Sequence, residues 1–280
     1  MNQRIKTLLQ KLDLYHPLQA AYRGAISVVT NQYYKRNYRS YKGRGFTCNF
    51  CGVAYERFVP EHPGHDIEAA IYGNNVIAGF GENVYCPNCM SKNRDRLVKA
   101  VIENYLPATA KKVLHFSPEK QLFRFLIEAG HDVTTVDITP GFYRNIDDKV
   151  RYADATSLPF PDKDFDLLIA NHILEHIPED RTAMKEMHRV LKEDGYAILQ
   201  VPYSQTLAAT IEEPGINDPA RQAALYGQRD HVRIYAFADY QQRLVSAGFK
   251  VRVLDPEELA RFRIYAIQPN ESVVLASKIL

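Results

Sequence analysis

From Lys111 onward, short apolar runs alternate with segments whose apolar residues recur every three to four positions. The runs are KKVLHF (111–116), HDVTTVD (131–137), VRYAD (150–154), FDLLIAN (165–171), GYAILQVP (195–202), FKVRVLD (249–255) and SVVLAS (272–277). Alternation of strands with helices predicts a parallel sheet covered on both faces, here of seven strands. Between the first two runs, Leu122, Phe125, Leu126 and Ala129 share one face of a helix that Gly130 stops. Ser117 is expected to cap that helix, Pro118 to occupy its first position and Glu119 to suit its positive end. Near the start of the chain, Ile5, Leu8, Leu9 and Leu12 predict an amphipathic helix that docks against the protein.

At 280 residues the chain has room for one α/β domain and a smaller module. The expected division is a basic, partly helical arm over 1–45, a cysteine module over 46–95 and the α/β domain over 96–280. No apolar run approaches the roughly 20 residues of a membrane span. The opening MNQRIKTLLQKLD is broken by Lys and Gln, with no apolar core or cleavage site after it, so a cytoplasmic address is expected.

The net charge of +2 conceals an asymmetry. Arg4, Lys6, Lys11, Arg23, Lys35, Arg36, Arg39, Lys42 and Arg44 are opposed before Gly45 only by Asp13. Tyr33, Tyr34, Tyr38 and Tyr41 are interleaved with this base. Such an arm suits an anionic polymer, nucleic acid or a membrane surface, or is a solvated extension that packs its tyrosines on the main domain.

All four cysteines fall in two C-x-x-C pairs, Cys48 with Cys51 and Cys86 with Cys89. Two such turns present four thiolates in the tetrahedron that Zn2+ prefers, and a closed four-cysteine site is structural rather than catalytic. A redox dithiol would not need two pairs, and disulfides are disfavoured without a secretion signal. His62 and His65 lie in the insert as substitute ligands.

In nucleotide-binding βαβ units an acid about 20 residues past the first strand receives the ribose hydroxyls, and Asp137 stands there. Asp154 follows the third strand and Asn171-His172 the fourth, so all reach the carboxyl edge of the sheet, where ligands bind in such folds. With VD at 136–137, AD-A-x-x-LPF at 153–160, ILEHI at 173–177 and R-V-L-K-x-x-G at 189–195, residues 111–202 resemble the S-adenosylmethionine-dependent methyltransferases with a seven-stranded Rossmann-like sheet. The family's first motif is a glycine-rich V-L-D-x-G-x-G; here it reads VLHFSPE, with His115 in place of the acid and no glycine. The resemblance implies an α/β fold with a Rossmann-like, mostly parallel sheet and S-adenosyl-L-methionine as cofactor. It implies that Asp137, followed by Ile138, holds the ribose, that Asp154 and Ala155 meet the adenine, and that Asn171, His172 and the turn His115, Phe116, Ser117, Pro118 and Glu119 border the methionine end.

His172, Glu175 and His176 also spell the H-x-x-E-H of a class of zinc proteases. Directly after an apolar strand, in the place of the family's L-E-H-I, the pattern reads as a structural helix start. Further on, GQRDHVRIY gathers Asp230, His231, Arg233 and Tyr235. For a hydroxyl acceptor, His231 is the candidate base, Arg233 the partner for an acceptor carboxylate or phosphate and Tyr235 a hydrogen-bonding group. A structural turn is the competing reading of this run. Most of the chain also resembles bacterial methyltransferases associated with surface-polysaccharide or natural-product assembly. The expectation is methyl transfer to a small-molecule or saccharide acceptor, at oxygen. The alternatives are an RNA methyltransferase that holds its polymer with the cysteine module and basic arm, and a binding protein with a silent methyltransferase fold. Acceptor and oligomeric state are not legible.

Overall fold

The computed structural model describes residues 15–109 and 111–279. The predicted amphipathic segment at residues 5–12, with Arg4, Lys6 and Lys11 of the basic arm, lies outside them. Seven strands form the main sheet: β1 (Lys112–Phe116), β2 (Asp132–Asp137), β3 (Arg151–Tyr152), β4 (Phe165–Asn171), β5 (Leu191–Gln200), β6 (Lys250–Leu254) and β7 (Val273–Ser277). Their order is β6-β7-β5-β4-β1-β2-β3, and β7 alone runs antiparallel to its neighbours. The chain reverses direction of travel across the sheet between β1 and β4, which opens a crevice at their carboxyl ends.

Residues that are adjacent in a strand face opposite sides of the sheet, so the apolar runs fill two cores. Leu114, Leu168, Ala170 and Leu199 face one core with Ala183, Met184 and Met187 of the helix Asp180–Val190 and Tyr240 and Leu244 of Phe237–Ser246. Val113, Leu167, Ile169 and Ile198 face the other with Leu97, Val98 and Val101 of Asn93–Tyr105 and Leu122 and Leu126 of Lys120–Glu128. Both faces of the sheet are therefore covered by helices.

The segment between the cysteine pairs is built into the rest of the molecule. Val59–Glu61 pairs antiparallel with Gly81–Tyr85. Val76–Ile77 instead pairs with Tyr203–Ser204, which runs beside Arg233–Ala236. Gly227 ends the helix Pro219–Tyr226 in a left-handed turn, and a Cβ there would stand 2.4 Å from Ile71, so glycine lets the insert's short helix Glu68–Gly73 pack closely. The helix Tyr15–Asn37 lies beside the Pro140–Phe142 turn. Tyr33, Tyr34, Tyr38 and Tyr41 form a chain of edge contacts, and the Arg57 guanidinium lies 3.9 Å from the Tyr41 ring centre. No helix among the described residues is long and apolar enough to cross a membrane.

Candidate cofactor and acceptor site

The carboxyl ends of β1, β2 and β4 open into a cavity of about 580 Å³, a size suited to a small ligand. At the end of β1 the backbone of Ser117 adopts φ 44°, the left-handed conformation in which glycine is at ease. Two bonds hold it there: its N–H donates to the Val136 carbonyl at 2.8 Å and its hydroxyl donates to Asp137 Oδ2. The following helix starts at Lys120, with Glu119 as its capping residue. Ser117 and Pro118 therefore do not cap or begin the helix, a correction of the expectation above. The hydroxyl that would have capped it is committed to Asp137.

Asp137 Oδ1 accepts the Thr139 N–H at 2.5 Å, so each carboxylate oxygen is fixed by one bond. Asp154 Oδ1 takes both the N–H and the hydroxyl of Thr156, at 2.8 and 2.7 Å. Phe116, Ile138, Tyr143 and Ala155 supply apolar wall. His115 does not reach the cavity. It is fully buried behind the turn, with Nε2 2.8 Å from Glu119 Oε2, while Asn171 Nδ2 donates to Glu119 Oε1 at 3.1 Å. Burial alone would raise the Glu119 carboxyl, but His115, Arg94 and Asn171 outweigh it and hold it below its ordinary value. Buried Asn171 Oδ1 and Arg94 Nε have no hydrogen-bond partner among the described residues.

Arg94 was not assigned by sequence. It comes from the first turn of Asn93–Tyr105, directly after the second cysteine pair, and lines the cavity. Its signal was the SKNRDR run at the boundary between the cysteine module and the α/β domain.

His172, His176 and Asp230 line the other end. His172, with φ 55°, is a second left-handed non-glycine residue at a strand end. Its Nδ1 lies 3.4 Å from Oε1 of fully buried Glu175. His176 Nδ1 lies 3.4 Å from Asp230 Oδ2, and the His176 and His231 rings meet edge to face. Burial pushes Glu175 up to about 7 and, together with the charge on His176, pushes His231 down to about 3. Burial also holds His172 well below the ordinary range. For His176, burial is outweighed by Asp230 and Glu175, and its value rises.

Arg233 and Tyr235 do not meet this cavity. Arg233 is buried and donates to the carbonyls of Leu174, Ile177 and Pro178 at 2.9, 2.5 and 2.8 Å and to Glu212 at 2.8 Å. Tyr235 is buried and donates to Asp180 at 2.7 Å. An acceptor-binding role for either is corrected, because each spends its polar atoms fixing the turn that carries Glu175 and His176. His231 stands behind His176 rather than in the cavity wall.

The two cysteine pairs fold alike. Gly52 and Met90 N–H donate to the Cys48 and Cys86 carbonyls, both at 2.8 Å, and both residues have positive φ. The four sulfurs lie within 4.8 Å of one another, with Cys48 to Cys89 at 3.6 Å and Cys51 to Cys86 at 3.8 Å. A tetrahedron with metal–sulfur bonds of about 2.3 Å has edges of about 3.8 Å, so the cage fits zinc. His62 and His65 face Glu82 and Glu68 and do not enter it. Buried Arg96 donates to the carbonyls of Ser91, Asn83 and Val84 on the module and Tyr265 and Ala266 on the α/β domain. Its charge opposes that of the thiolates and clamps the two parts together.

Residues 118–199 match the family model described as Methyltransferase domain. Sheet order and sequence agree on a class I methyltransferase fold. Over 96 residues the chain is 30% identical to the "Uncharacterized methyltransferase YcgJ" of Bacillus subtilis, covering 34% of this chain and 36% of that protein. Over 151 residues it is 27% identical to the malonyl-[acyl-carrier protein] O-methyltransferase of Halorhodospira halophila, covering 50% and 46%. The chain thus spans less than half the length of either relative. The structure of an S-adenosylmethionine dependent methyltransferase from Mesorhizobium loti aligns at 16% identity and TM-score 0.46, over 64% of this chain and 97% of that one.

Proposed function

We propose that the chain is an S-adenosylmethionine-dependent methyltransferase acting on an oxygen of a small-molecule or saccharide acceptor, with a structural zinc ion in its four-cysteine cage. The observation that carries this reading is the convergence of Asp137, Asp154, Glu119 and Asn171 on one cavity within the methyltransferase match. Each oxygen of Asp137 has a lone pair left for a ribose hydroxyl, and Asp154 Oδ2 with Ala155 suits the adenine edge between Ile138 and Tyr143. Ionised Glu119 suits the amino group of the methionine moiety, and Arg94 its carboxylate.

Bound there, adenosylmethionine supplies an electrophilic methyl group on a cationic sulfur. Held by Asp137, Asp154, Glu119 and Arg94, it would offer that methyl group for in-line transfer to an acceptor oxygen, whose proton would have to be taken up at the cavity end. The protein orients both partners, excludes water and receives the proton. A buried imidazole pushed to about 3 accepts protons poorly, so His231 alone does not suit that task. Of the cavity-end groups His176 suits it best, because Asp230 and Glu175 outweigh its burial and raise its value.

Incubation of zinc-loaded protein with methyl-labelled adenosylmethionine and separate RNA, saccharide and small-metabolite fractions tests the reading. Label should enter the saccharide or small-metabolite fraction and vanish with Asp137→Ala. Label confined to RNA would move the acceptor to nucleic acid, and no transfer to any fraction would contradict the reading.

A further inference from the structure

Glu175 is fully buried, and neither of its carboxylate oxygens has a hydrogen-bond partner among the described residues. Such a group is costly unless a cation or a donor meets it. Around it, ligand atoms of Glu175, His176 and His231 lie within 4.8 Å of one another, with His231 Nε2 3.9 Å from Glu175 Oε1. The far nitrogen of each ring is already engaged. His176 Nδ1 faces Asp230 at 3.4 Å, and His231 Nδ1 faces the Tyr226 carbonyl at 3.3 Å. A carboxylate or carbonyl on one ring nitrogen is the arrangement that fixes tautomer and orientation in metal-ligating histidines, and it leaves Nε2 of each ring as a ligand. The turn that carries Glu175 and His176 is rigid: Arg233 holds the carbonyls of Leu174, Ile177 and Pro178, and Val232 N–H holds that of Glu175 at 2.9 Å.

We propose that Glu175, His176 and His231 bind a divalent first-row transition-metal ion beside the cavity, which it reaches past His176, the one ligand of the three in the cavity wall, to receive an oxygen of the acceptor. Two imidazoles and one carboxylate form a donor set for such ions and leave coordination positions open, unlike the closed thiolate cage at the cysteines. His172, 3.4 Å from Glu175 on the cavity side, stands where a fourth donor or an acceptor would approach. An ion here lowers the pKa of a coordinated hydroxyl, whose proton passes to water before the oxygen attacks the methyl group. This chemical role rests on the methyl-transfer reading; the binding of metal does not.

Full-length protein, zinc-loaded at the cysteines and freed of weaker-bound metal by a mild chelator, is titrated with Co2+ and followed by visible absorption and elemental analysis. One cobalt equivalent should bind beyond the cysteine site, with d–d bands and no sulfur-to-cobalt charge transfer. Glu175→Gln and the half-buried His176→Ala should each abolish it, and Asp230→Asn should weaken it about 10- to 100-fold. No added equivalent, or one that survives both first substitutions, overturns the site. Adenosylmethionine titration of the same samples separates the two claims. Cofactor binding without cobalt binding overturns the metal site and leaves the methyltransferase reading intact. Cobalt binding without cofactor binding upholds the site and contradicts only that reading.

Discussion

The cysteine pairs and the turn after β1 solve the same problem, a sharp reversal that aims polar atoms at a ligand, with different materials. In the pairs, backbone bonds from Gly52 and Met90 shape each turn, and the ligand atoms are fixed by the C-x-x-C spacing itself. In the β1 turn, side chains do the shaping, two of them from other strands: Asp137 holds Ser117, while Asn171 and the strand's own His115 hold Glu119. The difference teaches that a local site is written in spacing, whereas a convergent one exists only once the sheet has formed.

Loss of one cysteine should give the largest effect. Cys86→Ser removes a ligand from a closed cage, and also the thiolate charge that faces Arg96 at the joint between module and domain. Its cost should be about 4 kcal/mol or more by denaturant unfolding, with loss of bound zinc by elemental analysis. A smaller loss would show that the joint holds without metal.

A pH effect comes next, from a buried acid outside both turns. Burial pushes Glu271, beside Gln200 at the end of β5, up to about 7. The folded protein keeps that proton up to about pH 7 while the unfolded chain releases it near the ordinary carboxyl value. Stability from this group is therefore full below the ordinary value and is lost as pH rises toward about 7, by roughly 3 kcal/mol. Glu271→Gln should remove this group's share of the slope, leaving that of Glu175, and stabilise the protein at pH 8, measured by urea unfolding at several pH values. An unchanged slope would contradict the assignment.

Ser117→Gly should have the smallest effect. Relief of about 1 kcal/mol of left-handed strain is set against the lost hydroxyl bond to Asp137. Thermal stability should change by less than about 1 kcal/mol, while cofactor affinity falls a few-fold because Asp137 is then held only by the Thr139 N–H. A large destabilisation would mean that the turn is packed for the fold rather than for the cavity.

The central strands were legible because they are apolar runs buried on both faces, and the edge strands β3 and β6, which expose Arg151, Tyr152, Lys250 and Arg252, followed from the alternation with helices; all seven appear in the main sheet. The placement of Asp137, Asp154 and Asn171 at its carboxyl edge followed from strand ends alone. The start of the helix after β1 was misread because helix-capping preference is local, and it lost to the Ser117–Asp137 bond across two strands. Arg94 could not be assigned, since nothing in SKNRDR says which side chain turns toward a cavity formed by segments up to residue 230. Arg233 and Tyr235 looked like acceptor residues for the complementary reason. Their polar groups face inward to Asp180, Glu212 and the 174–178 carbonyls, partners that are distant in sequence.

The central claim is that a glycine-free turn still builds an adenosylmethionine site. Calorimetric titration of the zinc-loaded protein with adenosylmethionine and adenosylhomocysteine, alongside Asp137→Ala, tests it most directly. The account predicts one-to-one binding of both ligands, weakened about 10- to 100-fold by the substitution through loss of charge-assisted hydrogen bonds. No heat and no thermal stabilisation at millimolar ligand, or binding that Asp137→Ala leaves unchanged, would contradict it.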